Sequence, residues 1–496
     1  MVHLDKIIVS NRSALLKKYT EQELRRIEDA VAYLIKSDAT RGIVARLVYL
    51  DDKATMRGLG GRPVRGPADT RGNKDAIDRL YKQYSPDYIM ILGAPDVVPH
   101  IKVTNLTHDE DGRIIDSDLP YACDTRFHRD ARRFLAPTRV VGRLPDINGG
   151  RDPQYLVGLL ETATHIVRRP RTDYADWFAL SAQTWTGSSA ITAANLFSTL
   201  EGLTLCPPTG PDKHKTLHKT RIHFFNCHGN AGSHVFWGEQ GHAQPVGFRS
   251  SSIPSQLLPG TVIAAECCYG AELYAPGRGQ LSISGTYLQR KAAAYVGSTT
   301  IAYGEYEGQG DADLLTQYFI QFVLRGHSVG RAFLQARQKF LTVSRPRITA
   351  IGLKTISQFL LLGDPSIHLV ERRHKSLAIE KGELLVESKS REKFFRRERR
   401  LQLVACGHTI DKAVEKPRPA GRKVPPARHR KFSKLARENG FRDFTASVLR
   451  FGDRENRETH YSYIEKRRRQ GSRKTPRIIV FKETGAQIDV RVYRPK

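Results

Sequence analysis

Apolar and polar positions along this chain alternate between two periods, one of strand length and one of helix length. Thr20-Glu-Gln-Glu has the form of a capping box and predicts a helix through Ile35. Residues 43–49 then read as a short apolar strand, and 56–71, rich in Gly, Arg and Pro, as a mobile loop. Helical spacing follows over 73–84, and 88–93 reads as a buried strand ending in a turn. A strand at 138–142 comes after the polar stretch 116–136. Beyond it the pattern predicts helices at 151–168, 188–200, 281–290, 312–324 and 329–341. Strands are predicted at 177–182, 221–225, 261–265 and 293–297. Short apolar strands alternating with helices argue for a parallel sheet covered on both faces. No internal repeat is visible.

Length and charge add boundaries to this picture. At 496 residues the chain exceeds one typical domain. Its 40% hydrophobic and 26% charged residues are those of a globular protein with ordinary cores. No apolar run approaches the ~18 residues of a membrane span, and the N-terminal residues lack a signal-peptide core, so a cytoplasmic location is expected. Six scattered cysteines suit a reducing compartment, and without a Cys-x-x-Cys pair no structural metal or other cofactor is expected. Of the net charge of +29, residues 371–496 carry +20, from 36 Lys+Arg against 16 Asp+Glu. The expected division is an α/β unit over 1–150, a second over 151–373, and a basic α+β module over 374–496. Within the last, 388–400 is a charge run, 416–430 reads as an exposed linker, and 477–481 with 487–493 reads as a hairpin around Thr484-Gly.

Two segments bear chemistry: Arg221-Ile-His-Phe-Phe-Asn-Cys-His-Gly and Thr261-Val-Ile-Ala-Ala-Glu-Cys-Cys-Tyr-Gly. Each is an apolar strand that stops at a reactive residue followed by glycine. In open parallel sheets, sites form beyond the carboxyl ends of the strands. If these two strands are neighbours, His228 and Cys267 emerge together. A thiol needs such a partner, because the thiolate is the nucleophile and an unperturbed Cys has a pKa of about 8.5. Each half alone has a bland reading, a core cysteine or a His-Gly turn.

Strand-His-Gly followed by strand-Cys resembles the caspase-like (clan CD) cysteine peptidases, and within them the gingipain-type family. The further matches are Trp237-Gly238, Cys267-Cys-Tyr-Gly, Gly363-Asp-Pro-Ser, Ser117-Asp-Leu-Pro-Tyr121 and Val141-Gly-Arg-Leu144, over roughly 85–370. Glu266 replaces the family's Ala before the nucleophile. The resemblance implies a caspase-like α/β fold with a mostly parallel sheet, helices on both faces and two α/β subdomains. It implies His228 as general base and acid, Cys267 rather than Cys268 as nucleophile, and the N–H groups of Gly229 and Cys267 as oxyanion donors. Asp118 is expected to orient His228. For the substrate it implies Asp130 as a candidate pocket acid, Tyr303 as a stacking wall and Trp237 beside the site. The family's pocket Asp falls here in the register of Phe134, with Arg132 and Arg133 beside it, so preference for a basic residue is open.

The expected activity is therefore a regulated intracellular cysteine endopeptidase acting on protein or peptide substrates through a thioester. Residues 374–496 would bind nucleic acid, another polyanion or a partner, with Phe444, Tyr461 and Tyr463 available for stacking. The alternative is an inactive caspase-like scaffold that binds polyanions. Its motive is the C-terminal charge and Glu266, a carboxylate that opposes thiolate formation unless it points away.

Overall fold

A computed structural model of the chain describes residues 4–371 and 424–495, apart from 108, 215, 277–278, 306–307, 345–347, 443, 452–457, 466–476 and 485–486. Residues 388–400, and 416–423 of the expected linker, lie outside the described residues.

The strands, in chain order, begin with β1 Lys6–Ser10, β2 Ala45–Tyr49, β3 Tyr88–Leu92, β4 Ile101–Thr104, β5 Ile114–Ser117 and β6 Val140–Leu144. Next come β7 Trp177–Ala182, β8 Leu203–Cys206, β9 Ile222–Asn226, β10 Val235–Trp237, β11 Val246–Arg249 and β12 Val262–Ala265. They continue with β13 Ala294–Ser298, β14 Tyr303–Glu305 and β15 Phe359–Leu362, then β16 Phe444–Phe451, β17 Glu458–Glu465, β18 Ile478–Thr484 and β19 Gln487–Pro495.

Ten of these form one mostly parallel sheet in the order β2-β1-β3-β6-β15-β13-β12-β9-β7-β8, with β15 antiparallel to β13. Its central strands are buried on both faces, which is why β6, β9 and β12 read as continuous apolar runs without alternation. Strands from both halves of residues 1–373 thus share a single sheet. Helices Glu21–Thr40, Pro153–His165 and Ile283–Gln289 pack together as one layer. Helices Thr186–Phe197, Asp311–Leu324, Val329–Val343 and Ala350–Gln358 form the other. The Thr20 capping box is present, with Thr20 Oγ1 accepting from the Glu23 N–H and Glu23 accepting from the Thr20 N–H.

Two predicted boundaries move for local reasons. Asp69 accepts from the Gly72 N–H and so starts the helix at Thr70, inside the expected loop. The expected linker ends in helix Pro426–Glu438, because Pro426 stands in its first turn, where its missing N–H costs nothing.

In the C-terminal part β16–β19 form an antiparallel meander, to which β14 adds as an edge strand, in the order β14-β19-β18-β17-β16. Its core is aromatic: Phe432 stacks on Phe481 at 4.6 Å and meets Tyr461 at 4.7 Å, and Tyr463 lies edge-on to Phe444 at 5.0 Å. This corrects the expectation that these rings wait for bases. Tyr461 and Tyr463 are buried, and Phe444 packs against them.

Candidate active site

β9 and β12 are parallel neighbours, with Ala265 beside Phe225. The Glu266 N–H donates to the Phe225 carbonyl at 2.8 Å, so the register persists past the strand ends. Continued, it sets Cys267 beside Cys227 and Cys268 beside His228. The register thus leaves Cys267 one residue short of the level of His228 on the neighbouring strand end.

Side chains alternate across the sheet. Phe225 meets Tyr287 of helix Ile283–Gln289 at 6.1 Å between ring centroids. Asn226 and Glu266 face the opposite layer, where Asn226 donates to Ser188 and Ser189 and Glu266 accepts from Thr316 Oγ1 at 2.8 Å. The carboxylate preceding Cys267 therefore points away from the Cys267 side.

His228 is held from three directions. Its backbone bridges that of Trp237 on β10, N–H to O at 2.9 Å in both directions. Its ring packs on Trp185 at 4.5 Å between centroids. Its Nε2 lies 3.0 Å from Glu239 Oε2, a contact in which the nitrogen must donate. Nδ1 is buried and has no hydrogen-bond partner. In the neutral imidazole this arrangement leaves the open lone pair on Nδ1.

Gly229 follows with its backbone against the thiol turn. A Cβ there would sit 1.8 Å from the Cys268 carbonyl oxygen, so no other residue fits. The turn itself is tied to the end of β13 and the loop after it. Ser298 Oγ donates to the Cys267 carbonyl at 2.9 Å, the Tyr269 N–H donates to Thr300 O at 3.0 Å, and Cys268 Sγ donates to Ala302 O at 3.6 Å. Tyr269, at φ +55°, donates its hydroxyl to Asp111. Glu272 accepts from the Gly232 N–H at 2.7 Å and so links the His228 loop to the Cys267 loop.

Both thiols are buried. Burial pushes Cys267 well above the usual thiol range, the neighbouring Cys227 thiol adds to this, and the charge of Glu266 contributes a further small push. Cys268 is raised chiefly by burial as well. No hydrogen bond joins either sulfur to His228.

Several expected site residues stand elsewhere. The carboxylate on His228 is Glu239, not Asp118. Asp118 is taken by Arg143, at 2.6 and 2.8 Å, and by His100 Nδ1 at 2.9 Å. Burial would raise its carboxyl, but the Arg143 guanidinium and His100 outweigh that and hold it well below the usual range. Asp130 is neutralised by its own near neighbour, bidentate to Arg132 at 2.6 and 2.8 Å. Tyr303 is fully buried with its hydroxyl on Asp109 at 2.9 Å, which removes it as an open stacking wall. Gly363-Asp-Pro-Ser is structural: Asp364 accepts from Lys6 Nζ at 2.5 Å, beside Asp38 at 2.8 Å.

Residues 251–370 match the family model for Peptidase family C25, a span that includes Cys267 and Gly363-Asp-Pro-Ser and begins after His228. By that match residues 251–370 are similar to the cysteine peptidases of family C25, the gingipain family. No curated protein matches it. Among solved structures, one titled "Structure of Protease" aligns with 99% of this chain and 97% of its own at 12% identity and a TM-score of 0.47.

Proposed function

We propose that the chain is an endopeptidase in which His228 is the base and Cys267 the nucleophile. The observation that supports this best is the state of His228: Nε2 held by Glu239, Nδ1 open, and the ring at the end of the strand that neighbours the Cys267 turn. In this reading the Cys267 thiol leaves Cys227 and passes its proton to Nδ1. The thiolate attacks the scissile carbonyl, whose oxygen accepts hydrogen bonds from the Gly229 and Cys267 N–H groups. Collapse expels the amine, which takes the proton from His228, and water then hydrolyses the thioester. Labelling with an electrophilic peptide probe tests it. Adduct on Cys267 that is lost in His228→Ala supports the assignment, and adduct confined to Cys268 transfers the role to that thiol.

We further propose an intracellular, regulated enzyme whose basic C-terminal part binds a polyanion or an acidic partner. Its support is the +20 charge of residues 371–496. Retention on heparin that falls steeply as salt rises is expected, and retention indifferent to salt contradicts it.

A further inference from the structure

The structure assigns an inhibitory role to the last of the described strands: we propose that β19 occupies the edge on which an extended substrate would lie. This rests on the peptidase reading above.

β14 follows Ser298 at the end of β13 and Thr300 and Ala302 in the loop after it, the three residues bonded to the thiol turn. A peptide paired with β14 is therefore led past Cys267. Short extended peptides commonly bind by adding to such an open strand, main chain to main chain. Here the position is filled from within. β19 runs antiparallel to β14, with Tyr303 opposite Pro495, Gly304 opposite Arg494 and Glu305 opposite Tyr493. Among the described residues β14 pairs with no other strand. The meander behind β19 closes over the same place, because Ile464, Ile478, Val480 and Tyr493 form one apolar cluster with Cys268, Ile301 and Tyr303.

The latch is weaker than the cover. The strand-to-strand ion pair is Arg491 with Glu305 at 3.3 Å, and the Arg491 side chain is 47% exposed. An exposed pair of this kind contributes little and is screened by salt. Release of β19 by a ligand of the basic part would expose β14 to substrate.

The test is Arg491→Glu in the full chain, which sets two carboxylates against each other on the outside of the module and leaves its aromatic core untouched. Two readouts are taken together: hydrolysis of a fluorogenic peptide, and alkylation of Cys268 by iodoacetamide, resolved by mass spectrometry. Both should rise about threefold or more. The charge exchange Glu305→Arg/Arg491→Glu should return Cys268 alkylation toward the wild-type rate. Faster alkylation without a gain in hydrolysis overturns the proposal, and so does no change in either. If wild type and variant alike hydrolyse no peptide while Cys268 labels faster, the peptidase reading itself falls, and the proposal with it.

Discussion

At His228 the two ring nitrogens have different neighbours, Glu239 on Nε2 and none on Nδ1, so removal of the carboxylate frees the ring to change tautomer. Glu239→Ala should lower kcat about tenfold to a hundredfold, less than the loss of the base itself, with little change in KM. Glu266→Gln keeps an acceptor for Thr316 and removes a negative charge that disfavours the thiolate. The pH profile of Cys267 alkylation should therefore move to lower pH. His223 provides a control for stability. Burial lowers it to about 4, between the Tyr287 hydroxyl and the Thr220 carbonyl. The unfolded chain then binds the proton more readily than the fold, so stability is full above the unfolded value and is lost as pH falls through it towards 4. The contribution at stake is on the order of 3 kcal/mol. His223→Gln should flatten urea stability between pH 7 and 4.5, and an unchanged slope contradicts this account.

Among the elements, β1 shows how far pattern reading reaches. Its Lys-Ile-Ile-Val-Ser is wholly buried although it opens on a lysine, and the apolar pattern alone does not mark it as a strand. The lysine is inside because Asp38 and Asp364, both distant in sequence, meet its ammonium there. Lys6→Ala would leave two buried carboxylates facing each other, and a loss of about 3–5 kcal/mol in chemical denaturation is expected. The strands that bear His228 and Cys267 were legible because each is a continuous apolar run ending at a glycine-flanked reactive residue. Glu239 had no such signal, since its contact depends on β10 folding back along His228. Asp118 was legible as important and not in its role, because Arg143 reaches it only across the fold. Tyr461 and Tyr463 looked available for the same reason: nothing local says that helix Pro426–Glu438 covers them.

For the whole molecule the question is how, in the proposed reaction, a buried thiol becomes a nucleophile. A single sheet joins strands from both halves of residues 1–373, so the strands that bear His228 and Cys267 share one frame. The antiparallel module is fixed to that frame through β14 beside the thiol turn. Activity should therefore be low at rest and rise when the C-terminal strand is displaced. Gly229→Ala offers no such recovery: its methyl would meet the Cys268 carbonyl, and hydrolysis should fall about a hundredfold or more even in the Arg491→Glu background. The most direct measurement of the central claim is cleavage profiling of a peptide library with Arg491→Glu protein, compared with the same protein carrying Cys267→Ala or Cys268→Ala. The account predicts cleavage that Cys267→Ala abolishes and Cys268→Ala retains. Cleavage that survives Cys267→Ala would contradict it.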